Sequence, residues 1–491
     1  MSENKFTCPM CGNESTIVLR SEGEIIIREC ALCKSIVGAF LKEKYEELLS
    51  LHKKCDRFRA NPPDWIRRVK INSEVKTNSE ASIKLPEGAI TEQSLRELVK
   101  QIGFRLYGTE IHTYFNSEVT KDSIRHFVNG IGDTNPLWVD EDYAKKSRYG
   151  GIVAPPHWFY SVCPSWVIFS PLKDPLRGVH GFHSGNDWIF YKPAFLYDKI
   201  TPEIINVGFS VSKSQFAEKI VIQYNLTNYY NQRGELVARA YAWVIRAERR
   251  TAREKGKYTK YMLPHPWSEE ELKKIEDEIL GEENKIRGAN PRFWEEVEIG
   301  EEMSLTKGPL GLTDMIAFCI GTNPVSLKAF RAALKEYRRH PRWAIRDPST
   351  FALEPIYSVH YNRAVANAAG LPYPYDVGVQ RNCFMMQMIT EWMGDDGWLK
   401  RCYAEYRKFF FYSDVLWLKG KVMDKFIDED GEPCVYIETH AVNQRGEDTM
   451  PGYALVVLPS KKHDYWPVEV RVKGQALGIK KRGVSVGKRE S

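Results

Sequence analysis

Four cysteines near the amino terminus carry the clearest chemical signal in the chain: Cys8-x2-Cys11 and Cys30-x2-Cys33, on either side of an 18-residue spacer. Each CxxC turn points two sulfurs at one centre, and four thiolates make the tetrahedral ligand set that zinc wants. Thr16 to Leu19 and Glu24 to Arg28 read as short β-rich runs, so a hairpin can bring the two knuckles together. Two independent buried or redox CxxC pairs are the alternative, but neither lies in the strand-to-helix context of a thioredoxin motif. A closed four-sulfur site (Cys8, Cys11, Cys30, Cys33) is structural, because it leaves zinc no open position for a substrate.

The rest of the chain must be searched for larger units. At 491 residues it exceeds one ordinary core, and roughly 150 residues per domain suggests about three. A content of 43% apolar and 12% aromatic residues excludes wholesale disorder. No stretch approaches the roughly 18 apolar residues of a membrane helix. The start, MSENKFTCPMC, lacks a signal pattern, so the expected location is the cytoplasm. Cys55, Cys163, Cys319, Cys383, Cys402 and Cys434 sit singly, which fits a reducing compartment. The net charge of +6 is mild, although Arg57, Arg59, Arg67, Arg68 and Lys70 cluster early and a basic tail ends the chain. Nucleic-acid binding is disfavoured, because aromatic and basic residues are not interleaved as a stacking surface.

Residues 39–52 show helical spacing and are expected to cap the ribbon, giving a unit over 1–55. Breakers such as Pro62-Pro63 mark a linker over 56–86. Beyond it the chain repeats itself. Asn231-Gln232-Arg233-Gly234-Glu235 recurs identically as Asn443-Gln444-Arg445-Gly446-Glu447, 212 residues later, each copy following long alternating β runs. Upstream, Thr134-Asn135-Pro136 recurs as Thr322-Asn323-Pro324, 188 residues apart, each after a helical run. The second half therefore carries 24 net extra residues between the two marks, expected in the Arg-rich stretch after Pro324. Each half then reads helix, loop, longer apolar helix (HWFYSVCPSWVIF or NCFMMQMITEWM) and several strands. The expected fold class is α+β, with an antiparallel sheet wrapped round a central helix in each half. The units are 87–250, a charged helical linker over 251–290, 291–465, and the tail 466–491.

GDTNPLWVDEDYAKKSRYGGIVAPP resembles the amino-terminal domain of the MaoC-like dehydratase and (R)-specific enoyl-CoA hydratase family, and VHYNRAVANAAGLPYPYDVGVQR resembles it more distantly. The resemblance covers roughly 85 to 465. It implies a double hot dog that adds water to, or removes it from, acyl-CoA, with coenzyme A as part of the substrate and no redox cofactor.

Family members pair an Asp with a His five residues on, one group taking a proton from water while the other gives one to C2. The first half keeps Asp133 but has Trp138 in the His slot, which implies a silent half that walls the acyl chain with Trp138, Trp158 and Phe159. His157, His180 and His183 read as packed or turn residues. The second half keeps His360 but has Pro355 in the Asp slot. Asp376, beside Tyr375, is the preferred replacement carboxylate, with Glu354 as the other candidate. Gly378 opens a helix whose free N–H groups can polarise a thioester carbonyl. Arg381 on its first turn is a contact either for a phosphate or for loop carboxylates. The rival reading is a non-catalytic acyl-CoA-binding or scaffold subunit, with the ribbon docking a partner such as a thiolase or acyltransferase; on either reading a homo-oligomer or hetero-complex is expected.

Overall fold

A computed structural model describes residues 5–51, 87–164, 174–255, 258, 261–467, 470–472 and 475–477. Thirteen strands form one continuous sheet. They are β1 (Ile17–Glu22), β2 (Ile25–Cys30), β3 (Ile36–Leu41), β4 (Arg105–Tyr107), β5 (Val179–Phe190), β6 (Thr201–Lys213), β7 (Lys219–Tyr230), β8 (Leu236–Glu248), β9 (Glu302–Lys307), β10 (Trp398–Glu405), β11 (Leu416–Ile427), β12 (Pro433–Asn443) and β13 (Gly452–Val457). The order is β9-β11-β12-β13-β10-β5-β8-β7-β6-β3-β2-β1, with β4 also on β6. The two expected sheets are therefore fused through the β10–β5 pair.

Seven helices matter here: α1 (Tyr45–Leu51), α2 (Glu92–Val99), α3 (Lys121–Ile131), α4 (Phe159–Val162), α5 (Leu312–Thr322), α6 (Phe330–Arg339) and α7 (Gly378–Met393). The α7 helix is the sausage of the second hot dog. It is apolar on most sides, and every residue from Val379 to Met393 is buried, as a helix enclosed by its own sheet must be. Its counterpart α4 is a four-residue turn that stops at Cys163, ahead of Pro164, a residue that disfavours helix before it. Residues 165–169 of the longer helix expected there lie outside the described residues. So do the whole linker over 56–86 and most of the basic tail.

The helix expected over residues 39–52 starts later. Ala39 to Leu41 complete β3, and the helix runs only over Tyr45–Leu51. The reason is tertiary: β3 pairs Gly38, Ala39 and Phe40 with Ser210, Phe209 and Gly208 of β6, so backbone pairing outweighs local helical spacing. The cysteine module is thus an extension of the main sheet. The seat depends on Gly208, at φ +149, where a Cβ would meet the Ala39 carbonyl oxygen at 2.4 Å. β6 skips one residue between Asn206 and Gly208, and β11 skips one between Val422 and Asp424. The position matching Gly208 in the second half is therefore Asp424, which pairs with Tyr436 of β12 but with no described strand on its other edge.

Duplication is visible in side-chain detail. The Asn231 side chain accepts from Arg233 N and Glu235 N, while Gln232 Nε2 donates to Asp198 Oδ1 at 2.9 Å. Asn443 accepts from Arg445 N and Glu447 N, and Gln444 Nε2 donates to Asp414 Oδ1 at 2.6 Å. The repeated pentapeptide is a turn clamp, closed by Gly234 and Gly446 at φ +74 and +71. The helices α3 and α5 cross at paired glycines: a Cβ on Gly130 would meet Ala317 O at 2.7 Å, and one on Gly321 would meet His126 O at 2.7 Å.

Replacing Gly208 by Val should force β3 off β6 and cost about 1–3 kcal/mol. Amide exchange of residues 36–41 should rise while that of α7 stays slow; unchanged protection of β3 would contradict this seat.

Candidate functional site

The internal repeat shows what each half lost. Gly130 and Gly321 are equivalent by their crossing, 191 residues apart, whereas Asn135 and Asn323 are 188 apart. The second half therefore lacks the three residues that stand as Ile131-Gly132-Asp133 in the first, and its carboxylate went with them. Further on, Asp140 and Asn362 each N-cap a short helix, Glu141–Lys146 and Arg363–Ala368, and stand 222 apart. His360 and Trp138 precede these caps by the same two residues, so they occupy one structural slot. The jump from 188 to 222 locates the insertion after Pro324, where α6 and the strand pair Ala344–Arg346 with Leu353–Pro355 are found.

His360 ends a 3-10 turn, Ile356–His360, and is buried. Its Nδ1 lies 2.9 Å from the Tyr375 carbonyl oxygen, a contact that requires the proton on Nδ1 and leaves Nε2 of the neutral ring unprotonated. The ring is boxed by Tyr357 and Tyr375, with centroids at 4.6 and 4.5 Å. Burial pushes the imidazole down to about 4, so it is neutral at pH 7. Tyr375 packs in turn on Phe409 at 4.6 Å, and Phe409 meets Phe182 of the first half at 5.7 Å. His180, on the same strand as Phe182, is held well below the usual range by burial, with Arg249 and His360 adding to the effect.

The Asp376 carboxylate is bonded to Arg381 and not to His360. It is fully buried, Oδ2 accepts from Arg381 Nε at 2.6 Å, and Phe410 N reaches Oδ1 at 3.4 Å. Burial raises its carboxyl while Arg381 opposes the rise. Arg381 Nη1 also donates to Lys408 O at 2.7 Å and Thr449 O at 3.2 Å, so of its two expected roles it fills the loop-carboxylate one. Glu354 accepts from Tyr361 OH at 3.3 Å. The α7 helix begins without a side-chain cap, and a Cβ on Gly378 would meet the Tyr406 ring at 2.6 Å. Tyr406 therefore roofs the helix start.

Sequence reasoning passed over two residues. Gln380, on the first turn of α7, is fully buried with neither end of its amide hydrogen-bonded. An orphan amide costs about 1–3 kcal/mol and marks a position awaiting a polar partner. Tyr357 places its hydroxyl 3.5 Å from Cys319 Sγ, linking the His360 turn to α5. Glutamine in an apolar helix and one tyrosine among 25 give no signal in sequence.

In the first half, Trp138 Nε1 donates to Asp133 Oδ2 at 3.0 Å and Asn135 N to Oδ1 at 3.0 Å. Buried His157 Nε2 lies 3.4 Å from the same Oδ2. Asp133 is thus the knot of its loop, and Trp138 is a buried clamp on it. A shallow groove of about 660 Å³ opens beside this loop, between Thr134, Pro136 and Tyr143 on one side and Arg287 to Asn290 on the other.

At the amino terminus the four cysteine sulfurs all lie within 4.8 Å of one another, and Cys8 Sγ stands 3.7 Å from Cys33 Sγ. That is the edge of a tetrahedron with metal–sulfur bonds of about 2.3 Å, so the donor set fits zinc.

Residues 105–240 match the family model described as FAS1-like, dehydratase domain region. A UPF0336 protein of Parafrankia sp. is 28% identical over 124 residues, covering 25% of this chain and 78% of that protein. Another from Streptomyces avermitilis is 26% identical over 87 residues, 17% of this chain and 57% of its own. Among solved structures, a MaoC-like dehydratase superposes with a TM-score of 0.51 at 13% identity, over 73% of this chain and 98% of that one. The body has the fold of that dehydratase, a double hot dog. The fold expected from the repeat is therefore present, and the MaoC-like likeness lies in the overlay of both halves on one template. No helix among the described residues is long and apolar enough to cross a membrane.

Two outcomes follow from the buried charges. Asp376→Asn strands Arg381 without its ionic partner and should cost about 3–5 kcal/mol in urea unfolding, while Asp376→Leu/Arg381→Met should recover much of that. Equal losses in both variants would contradict a supporting role. His440, between Asp448 Oδ2 at 2.8 Å and Glu438 Oε1 at 3.0 Å, behind the Thr449 loop that holds Arg381, is treated likewise. Although burial opposes protonation, these carboxylates raise it from 6.5 to about 8. Its contribution, about 2 kcal/mol, is then full below pH 6.5 and lost as pH rises through 8. His440→Gln should flatten the stability profile between those limits.

Proposed function

We propose that the chain is a hydro-lyase that interconverts 2-enoyl and 3-hydroxyacyl thioesters of coenzyme A, with His360 as its base. The observation that carries this is the neutral His360, anchored through Nδ1 with Nε2 unprotonated, in the slot where the first half has tryptophan.

With no carboxylate bonded to it among the described residues, His360 can serve both proton transfers. Nε2 takes a proton from water as the water oxygen bonds to C3. The electron pair of the double bond moves toward C2 and the thioester oxygen, and Nε2–H then returns the proton to C2. One H and one OH are added. A buried imidazolium is a strong acid, which favours the second transfer. The enolate oxygen would be stabilised by the start of α7, with the orphan Gln380 amide as a further polar contact. Asp376 is a positioning residue in this scheme: its ion pair with Arg381 fixes the segment whose Tyr375 carbonyl orients His360. Cys8, Cys11, Cys30 and Cys33 would hold zinc as a structural ion, away from the reaction.

The absence of a carboxylate on His360 favours a second reading, an acyl-thioester-binding subunit without turnover. Crotonyl-CoA hydration, followed by loss of enoyl absorbance, separates the two. His360→Ala should lower kcat/KM by about 10²–10⁴-fold. The wild-type rate should be level from about pH 5 to 8 and fall as pH drops through about 4, where His360 protonates. No turnover of crotonyl-CoA or of longer and branched enoyl-CoAs, or turnover indifferent to His360, would overturn the enzymatic reading.

A further inference from the structure

The turn that carries His360 is held differently from its counterpart in the first half. Both turns close with the same backbone bond, Asp140 N to Pro136 O at 2.9 Å and Asn362 N to Ser358 O at 2.6 Å. In the first half the turn follows its loop at once, and the loop clamps it: Asn135 Oδ1 accepts from Leu137 N, and Asp133 holds Trp138. In the second half the insertion separates loop from turn. Asn323 accepts instead from Leu327 N, at the opposite end of the insertion from the His360 turn.

The insertion brings a clamp of its own. Its hairpin of Ala344–Arg346 and Leu353–Pro355 runs directly into the turn Ile356–His360. At the hairpin tip, the carboxylate of buried Asp347 is divided between two tasks. Oδ1 folds the tip, accepting from Ser349 N at 2.8 Å, Ser349 Oγ at 2.5 Å and Thr350 N at 2.9 Å. Oδ2 accepts from the side-chain amide of Asn362, two residues beyond His360. The bonds from Ser349 and Asn362 hold the carboxyl well below the usual carboxylate range, so it is ionised and can only accept. The Asn362 amide therefore has one allowed orientation, with Nδ2 toward Asp347 and Oδ1 left to cap the helix Arg363–Ala368 through Val365 N at 3.3 Å. The neighbouring Tyr361 OH donates to Glu354 of the same hairpin. Both residues that follow His360 are thus tied to the insertion.

We propose that Asp347 is a positioning residue for His360: its bond to Asn362 stops the turn from shifting and keeps the imidazole seated on the Tyr375 carbonyl. Its effect on turnover rests on the hydro-lyase reading, but the seating of His360 can be read without turnover. A turn of five residues has few bonds of its own to resist displacement. A shift of about 1 Å in a reacting group can cost about 10²-fold in rate. Asp140 shows that the cap slot accepts an aspartate, because its Oδ1 takes the bonds of Asp142 N and Tyr143 N. The acid and the amide of the Asp347–Asn362 pair are therefore interchangeable at the cap, and exchanging them separates the link from the fold of the tip.

Asp347→Asn in the full chain keeps an oxygen for Ser349 and Thr350 but turns an NH₂ group toward that of Asn362, so it cuts the link alone. It should lower kcat for crotonyl-CoA by about tenfold to a hundredfold with KM little changed. A loosened turn lets water reach the ring, so the acid limb of the rate should move up from about 4 toward the ordinary histidine value. The His360 titration followed by nitrogen-15 NMR should move up with it. Asn362→Asp sets two carboxylates face to face and should lose activity likewise, whereas Asp347→Asn/Asn362→Asp reverses the direction of the bond and should restore most of the rate. Ser349→Ala, which leaves Oδ2 on Asn362, should keep the wild-type kcat. Unchanged kcat with an unchanged acid limb in Asp347→Asn would overturn the proposal, and so would an equal loss in the double variant. If the wild type turns over no enoyl-CoA, the hydro-lyase reading fails, and the NMR titration of His360 in Asp347→Asn and in the double variant still decides the positioning role.

Discussion

Sheet edges are the constraint on which this molecule is built. A hot-dog sheet wrapped round one helix still has unpaired backbone at its border, and exposed edges invite wrong pairing. Here the two borders satisfy each other: β5 and β10 pair from Ile189 with Arg401 to Gly185 with Glu405. Arg401 Nε donates across the seam to Asp187 Oδ1 at 2.8 Å. Gly185 is required at the close approach, since a Cβ there would meet Ala404 O at 2.5 Å. Behind the seam, Asn186 Oδ1 accepts from both Tyr160 and Tyr406 hydroxyls at 3.0 Å, and Asn382 donates to Tyr160 at 2.8 Å. This buried network draws on both halves and locks their relation.

The seam also explains why the candidate site is composite. β5 belongs to the first half, yet its Phe182 reaches Phe409 and its His183 lies edge-on to Tyr406 at 5.1 Å. Complementary residues then distinguish the two halves. One half kept the aspartate and turned it into a loop knot held by tryptophan; the other kept the histidine and lost the three residues that include the aspartate. A neutral histidine without a carboxylate is a coherent base only because burial and the Tyr375 carbonyl fix its protonation and tautomer.

The zinc-type knuckles, the duplication, the hot-dog plan and the insertion were legible in the sequence, because spacing and repetition encode them directly. The fate of Asp376 was not. A Tyr-Asp-x-Gly segment looks the same whether the carboxylate faces a histidine or a buried arginine five residues on, and only packing decides. Ala39 to Leu41 misled for a related reason: their spacing suits a helix, but the open edge of β6 beside Gly208 recruits them as a strand. Gln380 and Tyr357 carry no motif at all, and their interest arises from burial and unmet or shared hydrogen bonds.

The most direct measurement of the central claim is the protonation state of His360 itself, read by nitrogen-15 NMR of imidazole-labelled protein, with His360→Gln to assign the signal. The account predicts a neutral ring at pH 7 with the proton on Nδ1 and Nε2 bare, persisting until pH falls to about 4. A proton on Nε2, or an imidazolium still present at pH 6.5, would contradict it.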